Sequence, residues 1–458
     1  MMAVTEIDTE RTADVWDERL QALDGLIYSL AHDYDTLSLS RWGTLKPLLK
    51  CLQVYGRDQF TYFRTGFNTG RLEAWDDYPP AAIYSIVLNQ IGYDLEVWQR
   101  AVEQRLSGPA SVTQTLKEAD KLAWLALKPA IDLGLLPPDT TVVTYFQKSP
   151  VSRVIPYAPV ALIGVPFTCL TVTRDHLAIP HEVGHYVFWH AKVPAGQAGA
   201  GTPLHAVLRD RAFEALRAFV TVDTPEFPTW CYHWLEEVFA DVYSALVAGP
   251  IMALDFQDLA LNNSCSDFIT SDDDHPVPIL RPNIYTKALR HAANPDNGWA
   301  PWAEALHQRW QARRSHCGGR DHFIANGRTI PLDDAITSGQ NAANNRPLDR
   351  LIMISLEILT GLQTDWSGGL VTPAYTQNGR GANIDLDGLY DSLRANLPTL
   401  LAQATADLDP DTTIASRWVN AAENLISTYG ADFVKVAEWR ERLIANGWTT
   451  EGPQTRWP

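Results

Sequence analysis

The segment His176–His190, HLAIPHEVGHYVFWH, sets His181, Glu182 and His185 in an otherwise apolar run. On a helix, residues four apart lie about 40° apart around the axis and about 6 Å along it, so His181 and His185 project from one face. Two imidazoles at that spacing chelate one ion. In the H-E-x-x-H pattern the two His bind zinc and the first Glu between them acts on metal-bound water, which makes His181 and His185 candidate ligands and Glu182 a candidate general base.

A catalytic zinc also needs a third protein ligand and one open position. His190 would serve only in the metzincin continuation H-x-x-G-x-x-H, which asks for Gly at 188 and His at 191. The chain has Phe188 and Ala191, so His190 is read as a helix-surface or supporting residue. A second segment, CYHWLEEVFADVYSALVAG, carries an apolar stripe at helical spacing, with Glu237 and Asp241 four apart. This resembles the E-x-x-x-D pattern of gluzincins, which implies Glu237 as third ligand, with Glu236 its alternative, and Asp241 as the carboxylate that orients a ligating His through its free ring N–H. Two His and one Glu leave bound zinc with a net charge of roughly +1 and room for water.

A third segment, SDDDHPVPILRPNIYTKALRHAA, carries His275, Pro276 and Arg281. The order HEVGH, EEVFAD, HPVPILR, over roughly residues 176–290, resembles the gluzincin-type zinc metallopeptidases. Its last element is similar to the H-P-x-x-x-x-R segment of the CAAX-prenyl-protease and HtpX-type peptidases. The resemblance implies a zincin-like core, a small sheet over an active-site helix, with zinc on His181, His185 and Glu237. Glu182 would take a proton from water, and His275 would donate to the oxyanion. Arg281 and Tyr285 would be further contacts to substrate or transition state. Those relatives are membrane-embedded, whereas this chain shows no spanning stretch. Pro282 directly after Arg281 is a second departure and suits the first turn of a helix.

The elements that must hold these residues follow from pattern. Residues 1–135 read as a helical N-terminal region, 136–295 as the catalytic core with an insertion at 191–232, and 296–458 as mainly helical, an α+β chain in sum. The insertion reads equally as a lid or as a packed helical hairpin. The strand VALIGVPF, just before the first ligand helix, is the expected edge for an extended peptide substrate.

A net charge of −17, with 54 acidic and 37 basic residues and no basic run, argues against nucleic acid and anionic membranes as partners. The N-terminus lacks a basic region followed by an apolar core, which gives a cytoplasmic expectation, with signal-less export equally compatible. Five scattered Cys indicate neither a disulfide framework nor a thiolate zinc site, and a reducing compartment. Asn383, Asp385, Asp387 and Gly388 have EF-hand-like spacing, but Arg394 stands where a bidentate Glu is required, so calcium is excluded there. The function expected is zinc-dependent peptide hydrolysis. The alternatives are hydrolysis of a non-peptide amide, and a non-catalytic zincin-fold binding module or toxin-like effector.

Overall fold

The structure, a computed structural model, describes residues 9–34, 39–72, 79–220, 227–292, 299–337, 345–362, 384–404 and 408–429. The chain is α+β and mostly helical. It divides into one unit of Met1–Gln114, Val154–Val160 and Asp407–Pro458, and another of Thr115–Arg153 and Ala161–Ala406. In the first, α1 (Thr9–Asp33), α2 (Trp42–Asn68) and α3 (Pro80–Leu106) join the helix Thr412–Tyr429. The indole of Trp98 on α3 donates to Leu45 O of α2 at 2.8 Å, and Asp409 accepts from Thr44 N and Oγ1 at the start of α2.

The second unit carries every candidate site residue. Helix α4 (Ala110–Asp132) leads into it, followed by strands β1 (Thr141–Gln147), β2 (Val151–Arg153) and β3 (Val160–Pro166). β1 and β3 are near-continuous apolar runs because both are buried almost throughout. Asp120 on α4 ties the sheet down, accepting from Thr144 N at 2.7 Å and Thr144 Oγ1 at 2.8 Å. The strand order is β1-β3-β2, with β2 antiparallel to β3. VALIGVPF is therefore the central strand, which corrects its reading as an edge. The short β2 lies at the edge beside it.

Next come α5 (Ala178–His190), α6 (Leu204–Arg217), α7 (Thr229–His233), α8 (Leu235–Ala248), α9 (Pro250–Ala260), α10 (Arg281–His291) and α11 (Trp299–Arg313). Helix α6 fills much of the expected insertion and buries Leu204, Leu208, Ala212 and Leu216, so this segment is a packed helix. Pro282 sits in the first turn of α10, as its position suggests.

Two features depart from the sequence reading. The C-terminal region contains a hairpin of β4 (His322–Ala325) and β5 (Arg328–Pro331), turned by Asn326 and Gly327 at φ of 49° and 70°. Cys265 and Cys317 form a disulfide, while Cys51, Cys169 and Cys231 are buried and free. The pairing joins residues 52 apart in sequence, a spacing that carries no local signature. Asp385 bonds the start of the helix Gly388–Gln403, accepting from Gly388 N at 3.0 Å. Asn383 and the polar loop at 338–344 lie outside the described residues. No helix among the described residues is long and apolar enough to cross a membrane.

Candidate metal centre

Helix α5 is apolar because every residue from Ile179 to Phe188 is buried. It crosses α8 closely at Gly184, where an added Cβ would stand 2.8 Å from Ala240 Cα. Any larger residue would push the helices apart, so this glycine sets the distance across which α8 offers its carboxylates. His181 Nε2 and His185 Nε2 lie 3.1 Å apart. Glu237 Oε2 is 3.4 Å from the first and Oε1 is 3.4 Å from the second. The three residues are buried, with one candidate ligand atom from each lying within 4.8 Å of the others.

Each imidazole has its own outer carboxylate. His185 Nδ1 bonds Glu236 Oε1 at 2.8 Å, and His181 Nδ1 stands 3.1 Å from Asp241 Oδ1. Glu237 thus faces inward between the rings, as expected, while Glu236 orients His185 from outside. Adjacent acids on one helix point about 100° apart, so only one of the pair can face the ring nitrogens that converge.

Arg281 opens α10 and donates from Nε to Asp241 Oδ2 at 2.8 Å, from Nη2 to Asp241 Oδ1 at 2.9 Å and from Nη2 to Glu237 Oε2 at 2.7 Å. One turn on, the Tyr285 hydroxyl donates to Asp241 Oδ1 at 2.6 Å, and its side chain is fully buried. Arg281 and Tyr285, expected as contacts to substrate or transition state, lie against the α8 carboxylates, and Arg281 Nη2 also stands 3.2 Å from His181 Nε2. Phe256 of α9 supports this group, with the Arg281 guanidinium 4.4 Å from its ring centre and Tyr285 stacked at 4.6 Å. Nothing in the spacing of the motifs pointed to Phe256.

His275 approaches from the α9–α10 loop. Its Nε2 is 3.4 Å from Glu237 Oε1, and its Nδ1 bonds Asp272 Oδ2 at 2.8 Å. Glu182, next to His181 on α5, is 7% exposed. His190 ends α5 stacked on Tyr186, apart from the cluster.

Charge explains how so many ionisable groups stay buried together. Burial alone would raise the Glu237 carboxyl, but His185 and Arg281 hold it well below the usual carboxylate range. Burial likewise opposes ionised Asp241, and Arg281 with His181 outweighs it and lowers its pKa. For His181, burial disfavours the cation, yet Asp241 and Glu237 raise its pKa to about 9. Asp272 raises His275 above its ordinary value. The arrangement is a pair of ring nitrogens and an ionised carboxylate converging on one point, the donor chemistry of a divalent-cation site. Compared with family models, curated proteins and solved structures, the chain finds no match.

Proposed function

We propose that this site holds zinc and hydrolyses peptide bonds, in the manner of the gluzincin-type peptidases that the motif order resembles. One observation carries the reading. Tetrahedral zinc bonds of about 2.0–2.1 Å place donor atoms roughly 3.3 Å apart. The two ring nitrogens stand 3.1 Å apart, Glu237 approaches each at 3.4 Å through a different oxygen, and one ligand atom from each residue lies within 4.8 Å of the others, close enough to converge on one ion. Two imidazole nitrogens and one carboxylate also match the donor set of catalytic zinc.

When bound, the ion supplies a Lewis acid that makes a water acidic and polarises a carbonyl oxygen. The protein's own groups do the rest. Glu182, buried beside His181, takes a proton from the attacking water and returns it to the leaving amine. Glu236 bonds His185 Nδ1 and Asp241 lies 3.1 Å from His181 Nδ1, so each ring has a carboxylate behind it and Nε2 of each points inward. His275, with Nδ1 engaged by Asp272, keeps Nε2 as a donor for the oxyanion. An extended substrate would lie along β2, the short outer strand that packs against α5.

Glu182→Gln tests the division of labour. The variant should keep one zinc per chain by elemental analysis and lose nearly all cleavage, read as new peptide termini by mass spectrometry. Cleavage above about a tenth of wild type would remove Glu182 as the base. Less than about a tenth of an equivalent of zinc in wild type after incubation with zinc would remove the ligand set.

A further inference from the structure

Beside the metal centre, a cavity of about 530 Å³ opens between α9 and the α9–α10 loop, and it shares His275 and Arg281 with the centre. Its lining combines the apolar side chains of Phe256 and Leu259 on α9 and Val277 and Pro278 on the loop with the loop carboxylates of Asp267 and Asp272. We propose that this cavity receives the substrate residue next to the bond cut, and that it selects Lys or Arg, side chains with an aliphatic stem and a cationic tip. The proposal rests on the peptidase reading of the adjoining centre.

The charge argument turns on which groups are already committed. Arg281 is held by Glu237 and Asp241, and His275 by Asp272, so neither cation cancels the remaining carboxylate of the wall. Among the described residues Asp267 accepts from the neutral hydroxyl of Ser264, at 2.8 Å. Asp273 and Asp274 are exposed on the same loop and add to the negative field there. An acidic substrate side chain would meet like charge in this cavity. A purely aliphatic one would cover Phe256 and Leu259 yet leave Asp267 unanswered. A long basic side chain does both, burying its methylenes while its charged end stays near the rim.

The test uses three peptides that differ only at the residue beside the cleaved bond: Lys, norleucine and Glu. Norleucine keeps the stem and lacks the charge. Binding is read by fluorescence anisotropy on zinc-loaded Glu182→Gln, and cleavage on wild type. The expected order is Lys, then norleucine lower by about three- to ten-fold, the size of a part-exposed charge contact, then Glu. Asp267→Asn should bring the Lys-to-norleucine ratio toward one, and raising salt should narrow it. Equal binding of Lys and norleucine peptides, or an unchanged ratio in Asp267→Asn, would overturn the assignment. A Lys preference in binding without cleavage by wild type would leave the cavity assigned and overturn the peptidase reading alone.

Discussion

Glu237 and Asp241 on α8 and Asp255 on α9 are three carboxyls of one unit, none more than 5% exposed, yet their pKa values are pushed in opposite directions. Burial raises all three. On α8 the response is cationic: His185 and Arg281 act on Glu237, and Arg281 and His181 on Asp241, so both stay ionised. Asp255 meets the charge of Arg174 and a hydroxyl of Tyr390 at 3.2 Å, while Asp258 opposes it, and it is pushed up to about 7. Depth therefore does not decide which buried acid is charged; the cations around it do. A segment that gathers cations around ionised carboxylates is built to keep negative charge where it costs most, and a metal centre needs that arrangement.

Removing the fixed cation should break the contrast most severely. Arg281→Ala leaves Glu237 and Asp241 buried without their shared guanidinium, and loss of one partner of a buried ion pair typically costs about 3–5 kcal/mol. The metal-free variant should melt well below wild type, and zinc should raise its melting temperature by more than it raises that of wild type, because the ion supplies the missing charge. Melting close to wild type would show that the α8 acids do not depend on Arg281.

His275→Ala probes the cation that comes from the loop. If Nε2 serves the oxyanion, turnover should fall about 100- to 1000-fold, roughly 3–4 kcal/mol, with zinc content intact. A drop in melting temperature with turnover per folded molecule within a few-fold of wild type would make His275 a structural partner of Asp272 and Glu237. The third change separates orienting from ligating. Glu236→Gln should weaken zinc binding by about 10- to 100-fold, the usual effect of losing a carboxylate behind a ligating His, whereas Glu237→Gln should abolish stoichiometric binding. Equal losses would show that the two acids share the ion.

How much of this was legible follows from the period of each element. Residues four apart on a buried helix announce themselves, so His181, His185, Glu237 and Asp241 could be paired before any geometry was known. Spacing alone left Glu236 and Glu237 open, since the choice depends on how α8 is turned against Gly184 of α5. Arg281 and Tyr285 were expected near substrate from their place after His275, while the partners they have across space, on α8, carry no mark in the spacing. Phe256 and Asp272 carry no pattern, since one is an aromatic in an apolar helix and the other one of three consecutive aspartates. The hairpin at His322–Pro331 was readable: Asn326-Gly327 between short β runs is the signal of a two-residue turn with both φ positive. The place of β3 at the centre of its sheet was not, because a run of buried apolar residues does not say what lies on either side.

The smallest effect belongs to Asp255, and its sign makes it the sharpest check on the comparison. Its folded pKa of about 7 stands above the ordinary 3.8, so between those values the unfolded chain has released its proton while the folded one retains it. The stability that Asp255 allows is therefore full below about pH 4, falls as pH rises toward 7, and stays reduced above it. Asn cannot titrate and still offers an amide oxygen to the Tyr390 hydroxyl. Asp255→Asn should be nearly neutral toward stability at about pH 4 and should stabilise the protein by roughly 1–2 kcal/mol at about pH 8. The rise of about three pKa units, in which the attraction to Arg174 is already included, sets a ceiling near 4 kcal/mol. Urea unfolding at both pH values measures the difference. A gain that is the same at both, or a loss at the higher one, would mean that Asp255 is ionised in the fold like its neighbours on α8, and burial without sufficient cations would no longer distinguish the two regions.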